Sequence, residues 1–458
     1  MNNLPVDVSS ERSRVRAALV NSGAYSLFEA DKKLSESSLS ITLSDEAAAT
    51  ITGQAALLTA VVTAVRCFGE VTVNGNLNQA VILPLPLQAG TLLEAVTELG
   101  GHCKEGRPAA RHILIGPILD ALGAWSVQAF WDRWIAGVAA AGEKVPLGDS
   151  SCPLAGIAAG AAAVGQAFLA EQGDLRAGRS TQRLSLWSPE SGETGIYDRG
   201  PEQYYLPLKL WLIGLGNLGQ AYLWSLSTLP YPQPDQVLLF LQDDDEIDKG
   251  NWGTSVLVEK GRYEVLKTYI AEEWALRRKF KARRIDRRLD KHQRKTDLEP
   301  SIALAGLDRI AARRLLGYPG FDYVIDTGLG ATAEDYQNIR MNVFNADYKP
   351  DVHFSGVEDK TEQTVKKLME LEAYKELARA QGDGGCGAAM LAEKSVAVPF
   401  VSAVVGALAI AQAIRIASGE LPHLCLAGSL GDLSSIRATT GPSSKRAAVQ
   451  SVLAQIWP

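Results

Sequence analysis

A chain of 458 residues is too long for one ordinary core, so two domains are the starting expectation. Its 46% hydrophobic content argues against long disorder, and a net charge of -6 argues against any overall attraction to nucleic acid or an anionic membrane. Five cysteines (Cys67, Cys103, Cys152, Cys386, Cys425), odd in number and with no Cys-x-x-Cys pair, suit reduced cytoplasmic thiols, not a disulfide framework or a structural zinc site.

The opening MNNLPVDVSSERSRV is polar and lacks the apolar core of a signal peptide. Residues 47–67 predict a helix, 70–73 a short strand and 111–115 a buried strand. An alanine-rich helix begins at Pro153, and the turn formers from about Gly173 to Gln203 read as a linker. Past it, 208–213 is an apolar strand, 214–219 a tight glycine turn, 220–227 the opening of a helix, and 236–241 the next strand. Such alternation predicts a mostly parallel sheet with helices on both faces. The uncharged stretch 395–414 has the length of a membrane span, but Pro399, Ser402, Gly406 and Gln412 favour a buried helix packed through small residues.

An internal repeat organises the whole. Pro153, Gly160, Ala161, Ala163, Gln166, Ala167, Gly173 and Leu175 match Pro399, Gly406, Ala407, Ala409, Gln412, Ala413, Gly419 and Leu421 at a constant offset of 246 residues. Two copies of one domain are implied: a degenerate copy over 1–175 with no glycine-rich loop, a linker over 176–203, and an intact copy over 204–458.

The chemistry concentrates in the second copy. Gly214, Gly216 and Gly219 let the backbone turn sharply and approach a phosphate at a helix N-terminus. Asp243, 24 residues after Gly219, suits a ribose hydroxyl. These features alone permit an NAD-dependent oxidoreductase. The further run Asp243-x-Asp245-x-Ile247-x-x-x-Asn251, followed by Lys267, resembles the adenylating core of ThiF, MoeB and the ubiquitin-activating enzymes. The resemblance implies two tandem Rossmann-like adenylation domains forming a pseudo-dimer, which could be a monomer. It implies ATP and magnesium as cofactors, with Asp243 on the ribose and Asn251 and Lys267 on the triphosphate.

Two positions depart from that pattern. Thr254 and Ser255 stand where the family has arginine and glutamine, and Leu329 falls on the usual magnesium aspartate, which leaves Asp326 as the expected metal ligand. Arg12, Arg14 and Arg16 are candidates for the arginine that the partner copy sends to ATP. Cys386, between glycines in a loop region over 331–395 and eight residues before Lys394, resembles the family's thioester cysteine. The ensemble is most similar to bacterial activating enzymes of the Bil type, encoded in antiphage operons. That similarity implies a ubiquitin-like protein and a conjugating enzyme as partners, with thioester transfer through Cys386 in the cytoplasm. A scaffold that keeps the fold without catalysis is the nonenzymatic alternative. The basic run from Arg277 to Lys295 reads as a solvated surface or a contact for an acidic protein, and not as a nucleic-acid site, since only Phe280 is interleaved.

Overall fold

The structure is a computed structural model that describes residues 10–103, 109–118, 124–140, 142–143, 145, 147–194, 196–330, 332–357, 361–381, 388, 392, 396–439 and 454–456. The first half begins with helices α1 (Ser13–Val20) and α2 (Leu27–Glu36), the latter opened by a Ser26–Glu29 capping box. Strand β1 (Ser38–Leu43) follows, then α3 (Asp45–Ala48), α4 (Ile51–Cys67), β2 (Glu70–Asn74) and α5 (Leu92–Glu98). Next come β3 (His102–Cys103), β4 (Arg111–Ile115), β5 (Ser126–Asp132), β6 (Ile135–Ala140), α6 (Pro153–Gln172) and β7 (Gln182–Ser185). These strands make one sheet in the order β3-β2-β1-β4-β5-β6-β7.

The second half carries β8 (Tyr205–Pro207), β9 (Lys209–Ile213), α7 (Asn217–Thr228), β10 (Leu238–Gln242), α8 (Lys249–Trp252), α9 (Lys267–Arg277), β11 (Lys281–Ile285) and β12 (Ile302–Ala305). It continues through α10 (Ile310–Arg314), β13 (Tyr323–Leu329), β14 (Asn338–Phe344), α11 (Pro350–His353), α12 (Thr361–Met369) and α13 (Glu372–Gln381). It ends with α14 (Pro399–Ala417), β15 (Cys425–Ser429), β16 (Asp432–Thr439) and β17 (Ala454–Ile456). Its main sheet has the order β11-β10-β9-β12-β13-β14-β15-β16, while β17 pairs with β8 alone.

Both sheets run in the same sequence of positions, third-second-first-fourth-fifth-sixth-seventh. In each, the pairings among the first five strands are parallel, and the fifth-to-sixth and later pairings are antiparallel. The matched helices α6 and α14 occupy the same slot, between the sixth and seventh strands. Each starts with proline at its first turn, where a missing N–H costs nothing. Gly173 ends α6 in the left-handed region, and Gly419 takes the same kind of φ two residues past α14. The repeated glutamines also do the same work: Gln166 Oε1 accepts from Gly178 N–H, and Gln412 Oε1 accepts from His423 N–H.

The two apolar helices are long enough to cross a bilayer, yet 94% of an 18-residue apolar window in each is buried inside the protein. They achieve this through glycine. A Cβ on Gly160 would lie 2.2 Å from the Ala56 carbonyl of α4, and one on Gly406 would lie 2.7 Å from the Ala221 carbonyl of α7. Helices α6 and α14 also pack on each other, so the four meet at the centre of the molecule. Trp224 of α7 donates its indole N–H to Thr59 of α4 across the same layer.

The stretch read as a linker is more structured than its turn formers suggest. Within it, Gln182–Ser185 pairs antiparallel with β6 as the last strand of the first sheet, with Gln182 and Leu184 buried and Arg183 between them exposed. Likewise Gly219, read as part of a turn, lies inside α7, which already begins at Asn217.

Replacing Gly160 or Gly406 with valine should drive the new side chain into a helix backbone that cannot yield. We expect a loss of about 1–3 kcal/mol each, seen as a lower midpoint in thermal and urea unfolding.

Candidate functional site

Strand β9 feeds directly into the glycine segment. Gly214 takes φ +83, and its N–H donates to Gln242 O at the end of β10. A Cβ at Gly219 would stand 2.1 Å from Gly214 O, so the first turn of α7 can fold back on the loop only with glycine there. The degenerate copy keeps this tight spot, since a Cβ at Gly53 would meet Ala47 O at 2.0 Å. There the turn is filled by α3, and no run of glycines remains.

Gly306, just after β12, closes the other side. Its N–H donates to Ile213 O, and a Cβ on it would lie 2.8 Å from Leu218 Cβ. The crevice thus opens between the ends of β9 and β12, where the strand order reverses and parallel sheets of this kind bind ligands.

Asp243 follows β10 and faces this loop. Its Oδ2 accepts the Leu215 N–H at 2.6 Å and its Oδ1 accepts the Asp245 N–H at 2.9 Å. Burial raises the Asp243 carboxyl above its ordinary value, against the pull of Lys267 and the two backbone donors. Lys267 heads α9, and its Nζ lies 2.7 Å from Asp245 Oδ2. Burial pushes the Asp245 carboxyl up as well, but Lys267, Arg288 and Arg309 together bring it below the usual range. The structure therefore brings Gly214, Gly216, Gly219, Asp243, Asp245 and Lys267 to one crevice. Asp243, Asp244 and Asp245 form a close carboxylate group, already answered by Lys267 and by Arg288, whose Nε is 2.8 Å from Asp244 Oδ2.

Asn251 sits in α8, where its Oδ1 accepts Asp248 N–H and its own N–H donates back to Asp248 Oδ1. This capping box leaves Nδ2 to donate elsewhere. Thr254 and Ser255 are fully buried beneath α8, so no cation can come from the position where an arginine was missed. The first half does supply one. Arg14 of α1 places Nη2 3.8 Å from Asp248 Oδ2, and a Cβ on Gly250 would touch Ser13 Oγ at 2.9 Å. Arg12 instead donates to the carbonyls of Val65 and Phe68, and Arg16 is buried against Asp31 at 2.6 Å. Of the three arginines, Arg14 is the one paired with a carboxylate of the second half, the α8 cap Asp248, while Arg12 lies over the Trp252 ring of α8.

Asp326 differs from expectation. It lies in the middle of β13, since the strand runs on to Leu329, and its carboxyl is wholly buried beside Asn342, its cross-strand neighbour on β14. Arg313 Nη1 stands 3.6 Å away, fixed by Arg313 donations to Leu307 O and Thr327 O. A guanidinium thus occupies the place a metal would need, and Asp326 does not fit as a magnesium ligand. Sequence reading missed Gly306 and Arg313. A glycine directly after the fourth strand and an arginine in the short helix that follows were the signals. Cys386 and Lys394 fall outside the described residues.

Comparison with known proteins places these features in a family. A model for the BilD C-terminal domain matches residues 206–420, and one for the BilD N-terminal domain matches residues 38–186. The "Bacterial E1-like protein BilD" of Collimonas sp. (strain OK412) is 32% identical over 449 residues, spanning 96% of this chain and 95% of that protein. Among solved structures, E. coli MccB with AMPCPP and MccA is similar at a TM-score of 0.34 and 14% identity, covering 51% of this chain and 63% of that one. E. coli MccB with ATP gives 0.33 and 14%, covering 52% and 65%. The chain spans under two thirds of each.

Burial pushes the Asp326 carboxyl up to about 6, opposed in part by Arg313. Its folded value lies above the value of about 3.9 for an unfolded aspartate, so the folded chain holds an extra proton between them and stability falls as pH rises through that window. Asp326→Asn removes this titration. Urea midpoints at several pH values should show the variant gaining on wild type between about pH 4 and 6, by on the order of 2–3 kcal/mol.

Proposed function

This chain belongs to the BilD family of bacterial E1-like proteins, and from that premise we propose that it activates the C-terminal carboxylate of a ubiquitin-like protein with ATP. The observation that carries the reading is the crevice in which Asp243, Asp245 and Lys267 converge on the glycine turn, with Arg14 of the other half paired to Asp248, five residues after Asp243. An oxidoreductase would leave Lys267 and Arg14 without a task. Both are cations where a polyphosphate tail would lie.

In this reading the carboxylate oxygen attacks the α-phosphorus, the bond to pyrophosphate breaks, and pyrophosphate leaves. Asp243 holds the ribose hydroxyls. Lys267 exchanges Asp245 for the phosphate oxygens, while Arg14 and Asn251 Nδ2 meet the charge that builds during attack. Magnesium enters with the nucleotide as its counterion, and no residue is assigned to it. The Cys386 thiolate then attacks the acyl carbon and displaces AMP, leaving a thioester that a conjugating-enzyme cysteine takes over. The two matched halves act as a pseudo-dimer within one chain, the first lending Arg14 and the second the remaining groups. An antiphage role in the cytoplasm accords with the Bil-type resemblance.

Lysine removal leaves phosphate charge unanswered in a half-buried site, which costs several kcal/mol of transition-state stabilisation. Lys267→Ala and Asp243→Ala should therefore abolish ATP–pyrophosphate exchange supported by the ubiquitin-like protein, and Arg14→Ala should lower it about a hundredfold. Unaltered exchange in Lys267→Ala would remove the central assignment. Cys386→Ser should keep exchange but lose the reductant-sensitive adduct on a non-reducing gel.

A further inference from the structure

The strongly basic run from Arg277 to Lys295 holds eleven lysines and arginines against two aspartates, and no step above uses its outer face. Its centre is β11, whose partner among the described residues is β10 alone. Lys281 N–H donates to Val237 O, and Ile285 O accepts from Asp243 N–H, so the odd-numbered residues bond into the sheet. Two-residue alternation then turns the backbone N–H and C=O of Ala282 and Arg284 outward, as an open row.

Side chains on this edge sort by face. Arg283 lies over the Phe240 ring at 5.1 Å, and Lys281 shares its face of the strand. Arg284 lies on the side of α9, over the Tyr269 ring at 5.7 Å. Along the exposed side of α9, Tyr269 and Leu276 are seven residues apart, two helical turns, and are 45% and 56% exposed. The edge therefore offers main-chain pairing, cations on one face and apolar surface beside the other.

We propose that β11 is a docking edge, joined by an extended acidic segment of a protein partner as an additional strand. Acidic residues of that segment oppose Lys281 and Arg283, and its alternate apolar residues turn toward Tyr269 and Leu276. Charges on an edge strand commonly serve to repel other strands. Here they repel a second copy of this same basic edge while favouring an acidic one, so the two roles agree. A nucleic acid fits less well. The Tyr269 ring is already faced by Arg262 and Arg284, which leaves no open ring for a base to stack on, and the outward main-chain groups of Ala282 and Arg284 suit another strand.

The test uses the full chain and a fluorescein-labelled peptide of about ten residues alternating glutamate and valine, read by anisotropy. A second peptide with proline at alternate positions and a single-stranded oligothymidylate are the comparison probes. The alternating peptide should bind, more weakly as salt rises, and should protect the amides of Ala282 and Arg284 from hydrogen exchange. Ala282→Pro removes an outward donor but no charge, and should weaken binding about tenfold or more. Lys281→Glu with Arg283→Glu should do the same, with nucleotide binding unchanged in both variants. Failure of the alternating peptide to bind, equal binding of the proline peptide, or tighter binding of the oligonucleotide would overturn the proposal. Should thermal melting show Ala282→Pro unfolded, exchange in wild type decides, and absent protection at Ala282 and Arg284 overturns it. None of these outcomes bears on whether the crevice adenylates.

Discussion

Everything in this molecule hangs on two places where a helix lies directly against the backbone of another. At Gly160 and Gly406 no side chain separates α6 from α4 or α14 from α7. That closeness draws four helices into one central layer, with Phe168 and Phe400 meeting across it at 5.5 Å between ring centroids. Both sheets lean on this layer, and the ends of their strands are positioned by it. A larger residue would push α4 off α6 or α7 off α14, each within its own half, and α7 carries the glycine turn of the crevice.

The seam is further secured by a cation with no carboxylate opposite it. Arg66 is buried at the end of α4 and donates to Trp252 O, Val256 O and Val258 O in the other half, as well as to Val62 O in its own. Burial pulls its value down to about 10. Four carbonyl oxygens satisfy the guanidinium, and the Trp252 ring lies beneath it at 5.5 Å. This contact fixes α8, and through α8 the position of Asn251 and Asp248. A site in the second half thus depends on a residue in the first that never touches it.

Much of this was legible in the sequence because repetition and periodicity are written in residue types. The offset between Pro153 and Pro399 foretold two helices in equivalent slots, and Gln166 with Gln412 showed that even a side-chain hydrogen bond recurs. Gly214 and Asp243 were readable because a sharp turn and a charge after a strand need particular residues at particular spacing, whereas Lys267 was singled out only by its spacing from Asn251 in the family pattern. What escaped reading depends on distance in space. Nothing near Arg14 in the chain separates it from Arg12 and Arg16, since its distinction is the Asp248 carboxylate that the fold brings beside it. Asp326 looked like a strand-end ligand because strand length is poorly marked by apolar pattern, and Arg313 comes from a helix thirteen residues earlier. Gln182–Ser185 hid among turn formers because a four-residue edge strand needs little pattern of its own.

Arg66 also sets an order of events in synthesis. Its carbonyl partner Trp252 lies 186 residues further along the chain. At a translation rate of about 5–20 residues per second, roughly 10–40 s pass before that partner leaves the ribosome. Until then the Arg66 guanidinium lacks three of its four carbonyl partners, and the packing of the first half is completed only by the arrival of the second.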